Sequence, residues 1–296
     1  MNTRQVAAYL GINEKKIYAL ANAGKIPCTR ATGKWTFPRK LIDEWIEQSA
    51  VRPQRGEPRP EGRPFLLAAG SDDPSLAVLR DLFERRTMPA SFFLDIVGSS
   101  GGLAALHDGI VDLATAHLLD PASGEYNLPF VKNLFGADAV VVQLFFRQLG
   151  LIVAPGNPLR LRAIADLARP EVRLVNRQAG SGTRAYLDHA LARLKINSRT
   201  LNGYDRSVSS HIEAGLRVLG GAADAGLATM TAARMLGLDF VPLARERFDL
   251  VIRRERFFAP KMQVLLNIVG SSEFRGLLDA MGGYECGESG RIISMN

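Results

Sequence analysis

At 296 residues, with 47% hydrophobic and 23% charged side chains, the chain can bury more than one core and does not have the composition of a disordered protein. No apolar run is long enough to cross a bilayer, and the opening MNTRQVAAYLGINEKK lacks the long apolar stretch of a secretory signal, so a cytoplasmic chain without membrane contact is expected. The formal charge of +7 is unevenly placed: residues 1–50 hold eight Lys/Arg against four Asp/Glu, residues 51–63 four against two, and the rest 25 against 24, which points to a polyanion partner for the N-terminal fifth.

From the N-terminus, Thr3 is placed to cap a helix over RQVAAYL, with Val6, Ala7 and Leu10 on one face. Gly11-Ile12-Asn13 turns the chain into EKKIYALANAG, where Ile17 and Leu20 face inward and Gly24 ends the helix. KIPCTRATGKWTF then reads as a short hairpin turning at Ala31-Thr32-Gly33-Lys34, and Pro38 opens a third helix, RKLIDEWIEQ. Trp35, Phe37 and Trp45 are expected in the core of this small domain rather than on a base-stacking surface. In VAAYLGINEKKIYALANAGKIP and GKWTFPRKLIDEWI, residues 3–48 resemble the excisionase-type members of the MerR-like winged helix-turn-helix group. That resemblance implies double-stranded DNA binding, with the second helix in the major groove and the wing near the backbone or minor groove. Asn13, Lys15, Lys16 and Tyr18 would then start the recognition helix, and Arg30, Thr32 and Lys34 would stand on the wing.

Residues 51–64, VRPQRGEPRPEGRP, hold four prolines and no apolar period, and read as a stiff linker between a domain at 1–50 and a second at 65–296. Beyond it, short apolar strands (FLLAAG, SFFLDIVG, LATAH, AVVVQLFF, LGLIVAP, VRLVNR, AGLAT, DFVPLA) alternate with helical patterns such as PSLAVLRDLFERR, GLAALHDGI, GTRAYLDHALARL and HIEAGLRVLGG. This predicts an α/β fold with largely parallel sheets, whose ligands sit beyond the carboxyl ends of strands.

Three strand-to-helix loops share one chemistry: Ser71-Asp72-Asp73-Pro74, Ser99-Ser100-Gly101-Gly102 and Gly180-Ser181-Gly182-Thr183 followed by Arg184; a fourth helix opens after Ser209-Ser210-His211. Helix starts present unpaired N–H groups, glycines admit a ligand to the backbone, and hydroxyls add neutral donors, so together they suit an anion. Each loop alone would serve equally as an ordinary capped helix start. The lysine-containing spacing of a phosphate-binding P-loop is missing. Asp72 and Asp73 would repel an anion if they faced it and are expected to cap the helix near Pro74 instead.

The motifs AAGSDDPSLAVL, IVGSSGGLAALHDGIVDLATAHLLDPASGEYN, GLIVAPGNP, NRQAGSGTR and ADAGLATMTAARMLGLDFVPLARERFDLVI resemble the type-two periplasmic-binding-protein fold, in particular the solute-binding domains related to molybdate and tungstate receptors. The resemblance implies two lobes, about 65–153 with 245–296 and about 154–244, hinged near residues 153–157 and 243–249, with the ligand between them. It further implies a one-component, ligand-responsive transcription regulator, expected as a homodimer. A small oxyanion, molybdate or tungstate, is the expected effector, with Ser71, Ser99, Ser100, Gly101, His117, Tyr126, Ser181, Gly182, Thr183, Arg184, Ser210 and His211 as ligand contacts. A small organic effector, or an architectural excisionase-type DNA binder, are the alternatives.

No resident cofactor is expected. Cys28 and Cys286 lie far apart without paired spacing, which supports neither a disulfide framework nor a zinc site; His107, His189 and His211 share no face with other metal ligands. An enzyme is the least supported class, because Gly-Ser-Gly-Thr is not a nucleophile elbow and no motif joins a serine to a base.

Overall fold

A computed structural model describes residues 1–30, 33–49 and 64–294; Thr32, Ala31 and linker residues 51–63 lie outside the described residues. The chain divides into two compact units, Met1–Arg59 and Pro60–Asn296.

The first unit holds α1 (Thr3–Leu10), α2 (Glu14–Asn22) and α3 (Arg39–Ser49). Thr3 does not cap α1. Asn2 does so through a capping box, its side chain accepting from the Gln5 amide at 2.9 Å while Gln5 accepts from the Asn2 amide at 2.9 Å; Thr3 is buried in the first turn. Gly11 ends α1 and Asn13 caps α2 by accepting from the Lys16 amide at 2.8 Å. The hairpin is closed by paired 2.9 Å bonds between Thr29 and Thr36. Val6, Ala7, Ile17, Ala21, Ile26, Phe37 and Ile42 form the core, with Trp35 packed against it.

The second unit runs β1 (Phe65–Gly70), α4 (Ser75–Thr87), β2 (Ser91–Ile96), α5 (Gly98–His107), β3 (Leu113–Ala116), α6 (Leu128–Phe135), β4 (Ala139–Val153), β5 (Leu174–Arg177), α7 (Gly182–Arg193), β6 (Ser207–Val208), α8 (His211–Leu219), β7 (Ala225–Thr229), α9 (Met230–Met235), β8 (Asp239–Arg253), α10 (Arg254–Phe257), α11 (Pro260–Val269), α12 (Ser272–Met281), β9 (Tyr284–Glu285) and β10 (Ile292–Ser294). The strands join in the order β2-β1-β3-β8-β4-β7-β5-β6, with β9 and β10 added to β4.

Each lobe is a short parallel set, β2-β1-β3 in lobe I and β7-β5-β6 in lobe II; the two are stitched together by the antiparallel pair β4 and β8. The expectation of largely parallel sheets therefore fails for the two longest strands. AVVVQLFF and LGLIVAP are one strand, continuous through the polar Arg147-Gln148 step, and DFVPLA extends through charged residues to Arg253.

Separate cores place the lobe crossing. Leu144, Phe145, Phe248 and Leu250 pack in lobe I, whereas Leu151, Val153, Val241 and Leu243 pack in lobe II. The chain thus crosses inside β4, between Phe145 and Leu151, and residues 153–157, expected at a hinge, belong to lobe II. On β8 the crossing falls between Leu243 and Phe248, within the expected 243–249.

Candidate functional site between the lobes

Strands β1, β3 and β5 deliver their ends, β4 and β8 their crossing segments, and helices α5, α7 and α8 their N-termini, to the seam between the lobes. The lobes approach at the backbone: a side chain on Gly98, whose φ is +78°, would put Cβ 2.8 Å from the Gly180 carbonyl oxygen, and one on Gly182 would put it 2.6 Å from the His117 ring. Glycine at these two positions is what lets the helix starts meet.

Lobe I contributes a buried network of paired side chains. The Ser71 and Ser99 hydroxyls lie 3.0 Å apart, and Ser99 Oγ accepts from the His117 amide at 3.1 Å. Arg147 is fully buried; its Nε donates to Glu246 Oε2 at 3.1 Å, across the β4–β8 ladder, and its Nη1 to Asp73 Oδ2 at 2.7 Å. Asp73 Oδ1 accepts from the Tyr284 hydroxyl at 2.7 Å and from the Ser75 amide at 2.8 Å, so it does cap the start of α4 while also holding Arg147. His117 Nδ1 lies 3.2 Å from Glu246 Oε1; a carboxylate only accepts, so this nitrogen carries the hydrogen. Burial pulls the Glu246 carboxyl up, but His117 and Arg147 outweigh it and leave it at about 2. Burial keeps His117 neutral against the pull of Glu246.

Lobe II contributes donors that are not used up. Arg177 is 1% exposed and makes no carboxylate contact among the described residues; Nη2 donates to the Ser209 carbonyl at 2.8 Å and Nε to Gln178 at 3.4 Å. Burial lowers its pKa to about 10, with Asp72 opposing the shift. Its Nη1, Arg147 Nη2, Thr183 Oγ1 and both ring nitrogens of the fully buried His211 have no hydrogen-bond partner among the described residues. Burial, then Arg177, Arg147 and His117, hold the His211 pKa well below its ordinary value, so it is neutral.

Asp72 departs from its expected role. Instead of capping α4 it reaches across the seam, where its Oδ2 accepts from the His211 amide at the start of α8 at 2.9 Å. Burial raises its pKa, against the pull of that amide and of Arg177.

The remaining expected contacts fall into four groups. Ser181 and Ser210 cap α7 and α8, accepting from the amides of Arg184 and Glu213 at 3.1 and 2.9 Å, which leaves each hydroxyl proton to donate. Ser100 and Gly101 sit in the first turn of α5 because that helix begins at Gly98, four residues before the GLAALHDGI pattern; Ser100 is exposed, at a rim groove it shares with Gly180, Ser181 and Arg184. Arg184, expected as the cation of the site, is turned to Asp188 at 3.2 Å and stacks on Tyr204 at 3.9 Å. Tyr126 donates to the Arg245 carbonyl at 3.2 Å, and burial followed by the nearby Glu246 carboxylate raises its pKa. Of the cations that reach the seam, Arg147 lies inside an apolar strand and carries no motif, whereas Arg177 ends β5 within NRQAGSGTR, where Arg184 is the expected cation.

In the N-terminal unit, Asn13, Lys15, Lys16, Tyr18, Arg30 and Lys34 are all exposed. Tyr18, Arg30 and Lys34 line one groove with Asn2, Arg4 and Trp35, and the Arg30 guanidinium lies 5.4 Å from the Trp35 ring centroid. Asn13 has its carbonyl oxygen committed to the α2 cap.

Residues 1–50 match the model of a helix-turn-helix domain, and residues 80–270 that of the PBP superfamily domain. The chain is 29% identical over 299 residues to the Bacillus subtilis (strain 168) protein YvgK, covering 98% of this chain and 96% of that one. It is 33% identical over 109 residues to a Clostridium pasteurianum protein of the ferredoxin 2Fe-2S gene 5′ region, covering 36% of this chain and 96% of that one. Among solved structures, a Clostridium perfringens ABC-transporter substrate-binding protein with bound phosphate superposes with a TM-score of 0.56 at 14% identity, covering 75% of this chain and 98% of that one. The sulfate-binding protein SubI from Mycobacterium tuberculosis H37Rv gives 0.55 at 14%, covering 74% and 85%. With the matched superfamily model spanning well over half of its residues, this two-lobed, helix-turn-helix-headed chain belongs to the PBP superfamily.

Proposed function

We propose that the protein is a ligand-responsive transcription regulator that binds double-stranded DNA through residues 1–50 and a small oxyanion between the lobes of residues 65–296. The observation that carries the anion reading is the set of buried, unmet groups at the seam: Arg147 Nη2, Arg177 Nη1, Thr183 Oγ1 and the His211 ring. Unpaired buried donors cost on the order of 1–3 kcal/mol each, and a multi-acceptor anion is the partner that satisfies several at once. The proton-bearing hydroxyls of Ser181 and Ser210 and the amides at the starts of α7 and α8 supplement them. The phosphate and sulfate ligands of the fold's solved relatives support the class; molybdate or tungstate is the effector we put first, on the receptor-like motifs of the sequence. Ser181 holds a helix-capping bond and no base addresses it, which favours binding over catalysis.

Closure of the lobes on the ligand would change the geometry of paired heads on a two-fold operator, which requires unequal affinity of open and closed forms for the ligand. Asp72, facing the same seam, favours as second reading a small organic anion that brings its own hydrogen-bond donor.

The test is a thermal-unfolding screen of the full chain against molybdate, tungstate, phosphate, sulfate, amino acids and nucleobases, since a ligand of the native state raises the midpoint with concentration. A response confined to an organic ligand rejects the oxyanion and keeps the sensor. For the head, the Lys15→Ala, Lys16→Ala double variant is expected to weaken binding to the protein's own promoter region and reduce the salt slope by about 2; unchanged binding rejects α2 as the contacting helix.

A further inference from the structure

Seven titratable side chains face the seam, and their charges do not favour an anion as they stand. Asp72 and Asp73 come from the loop after β1, His117 from the end of β3, Arg147 from β4, Arg177 from β5, His211 from α8 and Glu246 from β8. Both histidines are neutral, which leaves two cations against three carboxylates. Arg147 is already taken by Asp73 and Glu246 at 2.7 and 3.1 Å. Beyond Arg147 Nη2, the guanidinium open to a ligand is Arg177, and the carboxylate that acts on it is Asp72. The same carboxylate, 2.9 Å from the His211 amide, also covers the start of α8, where an incoming anion would be drawn. Two negative groups sharing a buried site cannot both keep full charge at low cost.

We infer that the oxyanion binds together with one proton, and that the proton resides on the carboxyl of Asp72. The inference rests on the oxyanion reading above. The proton comes from solvent; it forms an O–H bond on Asp72, which then changes from a rival acceptor into a donor to a ligand oxygen, and Arg177 and the α8 amide are released to the anion. Burial already raises the Asp72 pKa, so the proton is taken up at modest cost. Glu246 does not compete for it, because its carboxylate is held by Arg147 and His117.

The experiment is calorimetric titration of the full chain with molybdate and with sulfate, in buffers of different ionisation enthalpy, from about pH 6 to 9, where neither anion titrates. Uptake of about one proton per anion is expected at the alkaline end, with the dissociation constant rising about tenfold per pH unit there. Asp72→Asn, which keeps a side-chain oxygen for the His211 amide, is expected to abolish the uptake and flatten the profile. Binding by the unaltered chain without proton uptake overturns the inference and leaves the oxyanion reading standing. Uptake that persists in Asp72→Asn moves the proton to His211 or His117 and overturns the assignment to Asp72. Failure of the unaltered chain to bind any oxyanion across the range overturns both.

Discussion

In lobe I the buried polar groups at the strand ends are tied to one another: Ser71 to Ser99, Ser99 to the His117 amide, Asp73 to Tyr284 and Arg147, Glu246 to His117 and Arg147. In lobe II, Arg177, Thr183 and His211 are as deeply buried, yet four of their side-chain atoms have no partner among the described residues. A satisfied network resists change because removing any member strands the others, whereas an unsatisfied set loses little stability when trimmed and loses its ligand instead. Lobe I is therefore the more tightly tied wall of the site, with Arg147 Nη2 left over, and lobe II the side that supplies most of the free donors.

The sharpest way to break this contrast is to remove one arginine from each side. Arg147→Met leaves Asp73 and Glu246 buried without their cation, and breaking a buried ion pair of this kind costs about 3–5 kcal/mol. Urea denaturation of the full chain at neutral pH should show that loss; a cost under about 1 kcal/mol would mean the network holds nothing together. Arg177→Met strands no contacting carboxylate, so its unfolding free energy should stay within about 1 kcal/mol of the parent. Its anion affinity should fall about a hundredfold, the effect of losing charge-assisted hydrogen bonds worth about 1.5–3 kcal/mol. Equal destabilisation by both substitutions would erase the distinction between the lobes.

A smaller version uses hydroxyls. Ser99→Ala deprives Ser71 Oγ and the His117 amide of a partner at once and should cost about 1–3 kcal/mol. Thr183→Val, which removes a hydroxyl without a partner among the described residues, should leave the unfolding midpoint nearly unchanged while weakening the anion response. Reversal of that order in thermal scans would place the free donors in the wrong lobe.

What the sequence discloses follows the same division. The hydroxyl- and glycine-rich turns are legible because turn and cap chemistry is local, and they do place α5, α7 and α8 at the seam. Arg147 is not legible, and Arg177, although inside NRQAGSGTR, is passed over for Arg184. Arg147-Gln148 inside AVVVQLFFRQLGLIV looks like the polar break between two strands, and only a partner 99 residues away, Glu246, lets a guanidinium run through a buried strand. RERFDLVI conceals the rest of β8 in a similar way: Glu246 pairs across the ladder with Arg147, Arg247 with Asp249 on its own strand, and Arg245 with Glu285 of β9. Asp72 fails differently: capping its own helix and reaching α8 are both sound local chemistry, and the approach of the second lobe decides between them.

Several groups in lobe I, among them Arg147 Nη2, Ser75 Oγ and Arg275 Nε, do not fit the contrast, and Asp249 gives the mildest test. Asp249 is fully buried on β8; its Oδ2 accepts from Asn127 at 2.8 Å and from Arg247 at 2.9 Å, but its Oδ1 has no partner, and Gln143, opposite in the ladder, has an unmet Nε2. Burial outweighs Arg247 and Asn127 and raises its pKa to about 6. A folded-state pKa above the unfolded value stabilises the fold in acid, fully below the ordinary aspartate range of about 3.9, and this contribution fades as pH rises through about 6. Asp249→Asn keeps an acceptor for Arg247 or Asn127 and removes the titration, so the difference in midpoint between variant and parent should shift in the variant's favour as pH rises from about 5 to 7. A difference independent of pH would show that Asp249 stays ionised, and lobe I would then contain an unmet charge of the kind that otherwise marks lobe II.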